Sequence, residues 1–395
     1  MVTRRRSRPD APIRRAGRRS WSGIALVTVL VGGLLASPWL RGRWSEWTTS
    51  LRADAEAVDV ESVLGTGQNG DEAAALLVVV TDESGRGASF AILTADEAGA
   101  PLALLVPAPL FVTLPGYGEF QLADAPLFED ASFAGLVLTN ATGLRFDTVA
   151  LVGPDEMTAV IGGELGVGLR SDYVIMGDTG ETLVAAAGSS RVDAATATMM
   201  LIDPGGSDVL GWVERQAAVW DAVLGAAVAA PQIAERLASV AADPAEGKAA
   251  VAAALGASVT LIPVDRTGAG GDADGFVLDT AEADSFMAAR LGGRLVAAEP
   301  RPRLELLNGN GRLQGARGVA EVLIGSGFRV VRTDNAVTFD YYTTLVIAQG
   351  RDNILPAQEV VALLGLGAVE LELRAPSSVV DLSIIVGYDV PEAED

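Results

Sequence analysis

Three glycines, Gly309, Gly311 and Gly315, stand in LELLNGNGRLQGARGVAEVLIGSGFRVV (Leu304–Val331), between an apolar run and a helix-like stretch. Glycines there would let backbone amides at a helix N-terminus approach a phosphate, and their spacing is one residue longer than the G-x-G-x-x-G dinucleotide fingerprint. Asp334 stands near the distance at which that fingerprint places a ribose-binding acid. The fingerprint works at a crevice inside a parallel sheet, however, and a unit this short has no second half. The glycines therefore read as a tight strand-to-helix turn, with Asn308, Gly309 and Gly311 as its loop. Other chemistry is narrowed by what is missing. The chain has no cysteine and no histidine, which excludes disulfides, thiol nucleophiles, imidazole bases and most zinc sites. The aspartates of TGAGGDADG (267–275) lack the alternating oxygens and closing glutamate of a calcium loop and read as a surface loop.

Charge and hydropathy say where these residues work. Residues 1–20 carry eight arginines and one acid, a sum of +7, and the remainder carries −29. So acidic a body repels polyphosphate backbones, which argues against nucleic-acid binding outside the tail. Directly after the arginines, WSGIALVTVLVGGLLASPWL (21–40) holds no charge and has tryptophans at its ends. At about 1.5 Å per residue it reaches roughly 30 Å, enough to cross a bilayer. The arginines should stay cytoplasmic and send the body outside. A cleaved signal peptide would need a shorter apolar stretch and a better small-x-small site than LLASPW, and a basic nucleic-acid-binding arm is the other alternative. A single membrane anchor is the expectation.

Elements that must position a site follow. Residues 41–75 read as a stalk and linker. Over 76–298 the runs AALLVVVTD, SFAILTAD, PLALLVPAPLFVTL and FDTVALVG read as strands, FAGLVLTNATGL and EMTAVIGGELGV as helices, and 192–240 as mostly helical. SVTLIPVD (258–265) reads as one strand and TAEADSFMAARLG as a helix. Pro300 and Pro302 flank a boundary, and 303–390 reads as β-α-β-β-α-β-β, a small two-layer α/β sandwich. The fold class is α/β throughout.

In that last unit, a strand ending Leu-Asn-Gly, a helix leaving through Gly327 and Phe328, then Asp334-Asn335-Ala336, a strand with Thr344 and Val346, and a closing Val386-Gly387-Tyr388-Asp389 resemble the LytR C-terminal domain. Such domains occur on exported, envelope-associated bacterial proteins, often actinobacterial, and often follow a LytR-CpsA-Psr catalytic domain. Residues 76–298 resemble that domain in LLVVVTD, in NATGLRFDTVALVGPDEMTAVIGGELGV with Gly162 and Gly163, and in ERQAAVWDAVL. The resemblance implies a candidate metal ligand at Asp82 and candidate phosphate or anion contacts at Arg86, Arg215 and Gln216. Active members transfer a glycan from a polyprenyl pyrophosphate, using a divalent metal and several arginines; two phosphates and a developing charge require guanidinium forks. Here the family's Pro-Arg-Asp is Pro107-Ala108-Pro109, and its Arg-x-Arg is absent from RVDAATATMML. The first domain therefore reads as degenerate, with no confident catalytic residue and no cofactor, magnesium entering only if the site is retained.

Bland alternatives exist for each survivor. Asp82 and Arg86 in DESGRG can be turn residues, and Arg215 can pair with Glu214 or Asp221 on a helix surface. Three functions compete. The first is a non-catalytic, single-pass membrane protein that binds a wall polymer, a lipid-linked precursor or an envelope partner. The second is an active phosphotransferase using displaced arginines such as Arg145, Arg170 or Arg191, which must converge with Asp82 on a deep apolar pocket. A nucleotide-binding or regulatory protein with a cytoplasmic body is the third. The apolar runs at 101–114 and 134–152 could line a lipid tunnel or fill the core themselves.

Overall fold

The computed structural model describes residues 73–177, 180–267, 274–312, 315–366 and 370–390. The arginine tail, the candidate span and nearly all of the stalk lie outside them. Among the described residues no single helix is long and apolar enough to cross a membrane.

The first body opens with the hairpin β1 (Leu76–Thr81) and β2 (Gly87–Ala95), buried along its whole length. Continuous apolar sequence of this kind suits a strand covered on both faces. β3 (Pro101–Val106) and β4 (Leu110–Leu114) follow. They are two strands, where the sequence suggested one run, because Pro107 and Pro109 remove ladder donors at the turn between them. β5 (Gly118–Gln121), α1 (Ala125–Phe128), α2 (Ala131–Thr142), β6 (Thr148–Val152) and α3 (Pro154–Ile161) come next. α3 is shorter than EMTAVIGGELGV suggested; the chain leaves it at Gly162 and enters a strand.

Two ribbons then form from β7 (Leu165–Leu169), β8 (Tyr173–Gly177), β9 (Gly180–Ala185) and β10 (Gly188–Val192), pairing β7 with β10 and β8 with β9. Helices α4 (Ala194–Ile202), α5 (Val209–Ala229), α6 (Pro231–Ser239) and α7 (Pro244–Ala254) fill the predominantly helical stretch and extend it. SVTLIPVD divides at Pro263 into β11 (Val259–Leu261) and β12 (Val264–Arg266), followed by β13 (Phe276–Leu278) and α8 (Thr280–Leu291). The main sheet has the order β11-β3-β2-β1-β6 and a second sheet the order β12-β13-β4-β5. α7 packs on β1, β2, β3 and β6, and α4 on β1 and β2. Five aspartates serve the helices: Asp130, Asp193, Asp208, Asp243 and Asp279 each accept an N-terminal amide as cap, a position where negative charge is favoured.

The second body has β14 (Arg303–Asn308), α9 (Gly315–Gly325), β15 (Arg329–Asn335), β16 (Leu345–Gln349), α10 (Ile354–Leu364), β17 (Glu370–Arg374) and β18 (Leu382–Val386). This is the order expected from the sequence. The sheet runs β15-β14-β18-β16-β17, with β16 antiparallel to β18 and the remaining pairs parallel. Alternation sorts its faces. Leu304, Leu306, Val346, Leu382, Ile384 and Val386 pack with residues of α9 and α10, while Leu307, Leu345, Ile347 and Ile385 face a smaller cluster with Ala336 and Tyr341.

Both bodies belong to one unit, Leu64–Asp395, and polar bonds join them. Buried Asn140 of α2 donates from Nδ2 to the Val330 carbonyl at 2.8 Å, and its Oδ1 accepts from the Val330 amide at 2.8 Å. The guanidinium of buried Arg301 donates to the carbonyls of Thr139 (3.2 Å) and Asn140 (3.0 Å), and its Nε to Glu299 (2.7 Å). The Thr139 carbonyl also accepts from the Gly143 amide that caps α2 (2.8 Å), and a cation at a helix C-terminus is favourable. Burial, then the neighbouring Arg329, pulls the Arg301 pKa below the usual range.

Candidate functional site

Asp82 and Arg86 lie at one end of the main sheet. β1 ends there at Thr81, β2 begins there, β3 turns out through Pro107–Pro109, and β6 runs into the N-terminus of α3. Ends of this kind carry the loops that build ligand sites in α/β proteins. The Asp82 carboxylate, through Oδ1, accepts from the Ser84 amide (2.8 Å), the Ser84 hydroxyl (2.6 Å) and the Arg86 amide (3.0 Å), an Asx turn that closes the hairpin. The Arg86 guanidinium turns aside to Asp124 (2.7 Å) and Gln121 (3.1 Å). Gln216, fully buried on α5, reaches the same end by donating to the Ala88 carbonyl (2.7 Å) and to Leu201 O (2.6 Å).

Arg215 is one residue away and points elsewhere. It is 4% exposed and pairs with neither Glu214, which holds Arg170, nor Asp221, which accepts from the Val259 amide. Its Nη2 donates to the carbonyls of Asp203 (2.8 Å) and Pro204 (2.9 Å), Nη1 to Ser207 Oγ (2.7 Å), and Nε to Met200 O (3.5 Å). The guanidinium carbon lies 4.4 Å from the centroid of the Tyr173 ring, within cation–π range. Burial lowers the Arg215 pKa against the pull of Tyr173 and Asp203. Burial and the Asp203 carboxylate push the Tyr173 phenol up to about 12, against Arg215. Arg215 thus clamps the loop between α4 and α5.

Arg170 pairs with Glu214 at 2.9 Å and Arg191 with Glu164 at 3.9 Å, both exposed, and exposed Arg145 lies where the chain enters β6. Among the described residues no group of three or more carboxylates could hold a metal ion. Asp82 committed to its own turn, and Asp124 held by Arg86, do not fit a magnesium site. The runs at 101–114 and 134–152 are largely absorbed into the packed core. Cavities of about 350 and 530 Å³ lie elsewhere, beside Asp96 and Arg294 and at the junction around Arg301 and Arg329.

Among the described residues of the glycine turn, the amides of 309–312 are turned to the protein itself. The Gly309 amide donates to Val386 O at 3.0 Å. Those of Asn310 and Gly311 go to Asn308 Oδ1 (3.2 and 2.8 Å), and that of Arg312 to Asn310 Oδ1 (2.9 Å). Four consecutive amides are spent within the protein. A Cβ at Gly309 would come within 2.6 Å of Ile385 Cγ2 and 3.0 Å of the Tyr341 ring, so the missing side chain serves close packing against β18 and the loop after β15. Gly311 adopts φ +71°, where glycine avoids the strain of other residues.

Residues 301–389 match the family model LytR_C, described as LytR cell envelope-related transcriptional attenuator. The second body is a LytR C-terminal domain. No curated protein matches the chain. Among solved structures, B. subtilis TagT is 18% identical with 58% of this chain and 94% of its own covered, at a TM-score of 0.44. The LytR-Csp2A-Psr enzyme from Actinomyces oris is 16% identical, with 55% and 89% covered and a TM-score of 0.43. B. subtilis TagV is 16% identical, with 54% and 94% covered and a TM-score of 0.42. Identities and TM-scores this low decide nothing about the chemistry of the first body.

Sequence reasoning missed Asn140 and Arg301, which tie the LytR C-terminal domain to the first body. It also passed over the aromatic residues after β15. The tyrosine pair in TFDYYTT, an aromatic cluster in a turn-like stretch, was the available signal.

Proposed function

We propose that this chain is a single-pass envelope protein, its N-terminus cytoplasmic and its body outside, that binds a wall polymer, a lipid-linked precursor or an envelope partner without transfer chemistry. The LytR C-terminal domain supports the envelope assignment. The observation that carries the non-catalytic reading is that the surviving carboxylate and guanidinium groups are spent on internal partners. Asp82 closes its turn, Arg86 holds Asp124, and Arg215 binds the carbonyls of its own loop. A polyprenyl pyrophosphate needs several unspent forks aimed at one point, and Arg170 and Arg191 pair with Glu214 and Glu164 while Arg145 lies at the other end of β6. In this reading the first body, similar in sequence pattern to a LytR-CpsA-Psr domain, is a scaffold for its partner domain.

Protease treatment of intact cells tests the topology. Digestion of the body from outside, with a membrane-protected fragment reporting the N-terminal region, is expected. Full protection that yields only after lysis would place the body in the cytoplasm and sink the proposal.

A further inference from the structure

The glycine turn has a neighbour that the fold does not consume. Between β15 and β16 the chain carries Val337, Phe339 and Tyr342, which are 98%, 48% and 80% exposed, and Tyr388, 41% exposed, lies alongside. The Tyr342 and Tyr388 rings are 6.0 Å apart at 41°. Large apolar groups left in water singly need no explanation, but a cluster of rings marks a binding surface.

The chain that carries the cluster is pinned on either side of it. The Ala336 amide donates to Asn308 O (2.8 Å), the Tyr341 amide to Gly309 O (3.2 Å) and the Tyr388 amide to Tyr341 O (2.9 Å). Asp389 accepts from the Thr344 amide (2.9 Å) and hydroxyl (2.7 Å), and Asn310 donates to Gly387 O (2.7 Å). Arg312 places its guanidinium carbon 5.2 Å from the Tyr388 centroid. The glycine turn is therefore the footing of an aromatic shelf, set in place before any ligand arrives, which lowers the ordering cost of binding.

We propose that this shelf is a glycan-binding surface that stacks the C–H face of neutral pyranose rings on Tyr342 and Tyr388. A pyranose offers an apolar face of C–H groups and a rim of hydroxyls. Tilted phenol rings with hydroxyls at their edges complement both. Charge selects among polymers: with −29 outside the basic tail, an anionic chain is repelled and a neutral one is not. The inference rests on the envelope reading, because only an exported domain meets wall polysaccharide.

The test uses the full chain in detergent, titrated calorimetrically with six-unit neutral oligosaccharides (β-1,4-linked N-acetylglucosamine, β-1,4-linked glucose, α-1,6-linked mannose) and with an anionic polygalacturonate hexamer. Saturable binding of at least one neutral hexamer is expected, with none of the anionic one. Tyr342→Ala should weaken it about threefold to tenfold, whereas Tyr342→Phe, which keeps the ring, should hold it within about twofold. Tyr342 is exposed, so its truncation leaves the fold standing. Absence of binding to every neutral hexamer, binding unchanged in Tyr342→Ala, or preference for the anionic hexamer would overturn the proposal. Any of these with the body still digested from outside defeats the shelf alone, whereas a protected body defeats the envelope reading itself.

Discussion

Replacing Asn140 with alanine should separate what α2 holds together. The Asn140 side chain pairs with the amide and the carbonyl of Val330, both at 2.8 Å, and Asn140 and Val330 are 3% and 1% exposed. Truncation removes two bonds and leaves two buried backbone groups of β15 without this partner. Each such group costs about 1–3 kcal/mol, so the loss should reach about 2–6 kcal/mol, a large share of the roughly 5–15 kcal/mol typical of a folded protein. The bonds cross from the first body to the LytR C-terminal domain, so their loss should also uncouple the two. Urea denaturation of residues 45–395, followed by tryptophan fluorescence and by circular dichroism, reads both effects. One coincident transition is expected for the wild type, and for Asn140→Ala two transitions with the LytR C-terminal domain melting first. Asn140→Asp should behave no better, because a second carboxylate oxygen would face the Val330 carbonyl. A loss below about 0.5 kcal/mol with a single transition would refute the reasoning, since Arg301 and apolar packing would then suffice.

Two further outcomes test the clamp in the first body. Arg215→Met keeps the stem but takes this donor from the carbonyls of Met200 and Asp203 and leaves Pro204 with the Ser207 amide alone (3.2 Å), and should cost about 2–4 kcal/mol by denaturation; a neutral effect would mean that the guanidinium is free for a ligand. Tyr173, raised from 10.0 to about 12, favours the folded state fully below pH 10, and that contribution should fade as the pH rises from 10 through 12. The full shift corresponds to about 3 kcal/mol, read as a fall in denaturation midpoint over that window that Tyr173→Phe abolishes; an identical fall in the variant would assign it to other groups.

How much was legible depended on whether the signal was local. β1 and β2 stood out as unbroken apolar runs because both of their faces are covered, and the second body's element order was readable because each strand is short, carries apolar residues and is bounded by turn residues. The strand at 180–185 was not, since GETLVA is mostly solvent-exposed and offers no apolar alternation. At the sheet end, residue types could be picked out, but the direction of a guanidinium could not. Arg215 points into its own loop because the carbonyls of 203 and 204 turn towards it, a tertiary fact. Asn140 in NATG looks like a helix-terminal residue, and its partner Val330 is distant in sequence. The shelf escaped for the same reason, because Tyr342 and Tyr388 meet only once β16 and β18 are paired.

Titration of the purified full chain with a polyprenyl pyrophosphate analogue, with and without magnesium, alongside a glycan-transfer assay, tests the non-catalytic reading most directly. With Asp82, Arg86 and Arg215 committed to internal partners, no transfer and no magnesium-dependent binding are expected, with Asp82→Ala indistinguishable from wild type. Magnesium-dependent transfer that Asp82→Ala abolishes would contradict it and place a working phosphotransferase at the end of the main sheet.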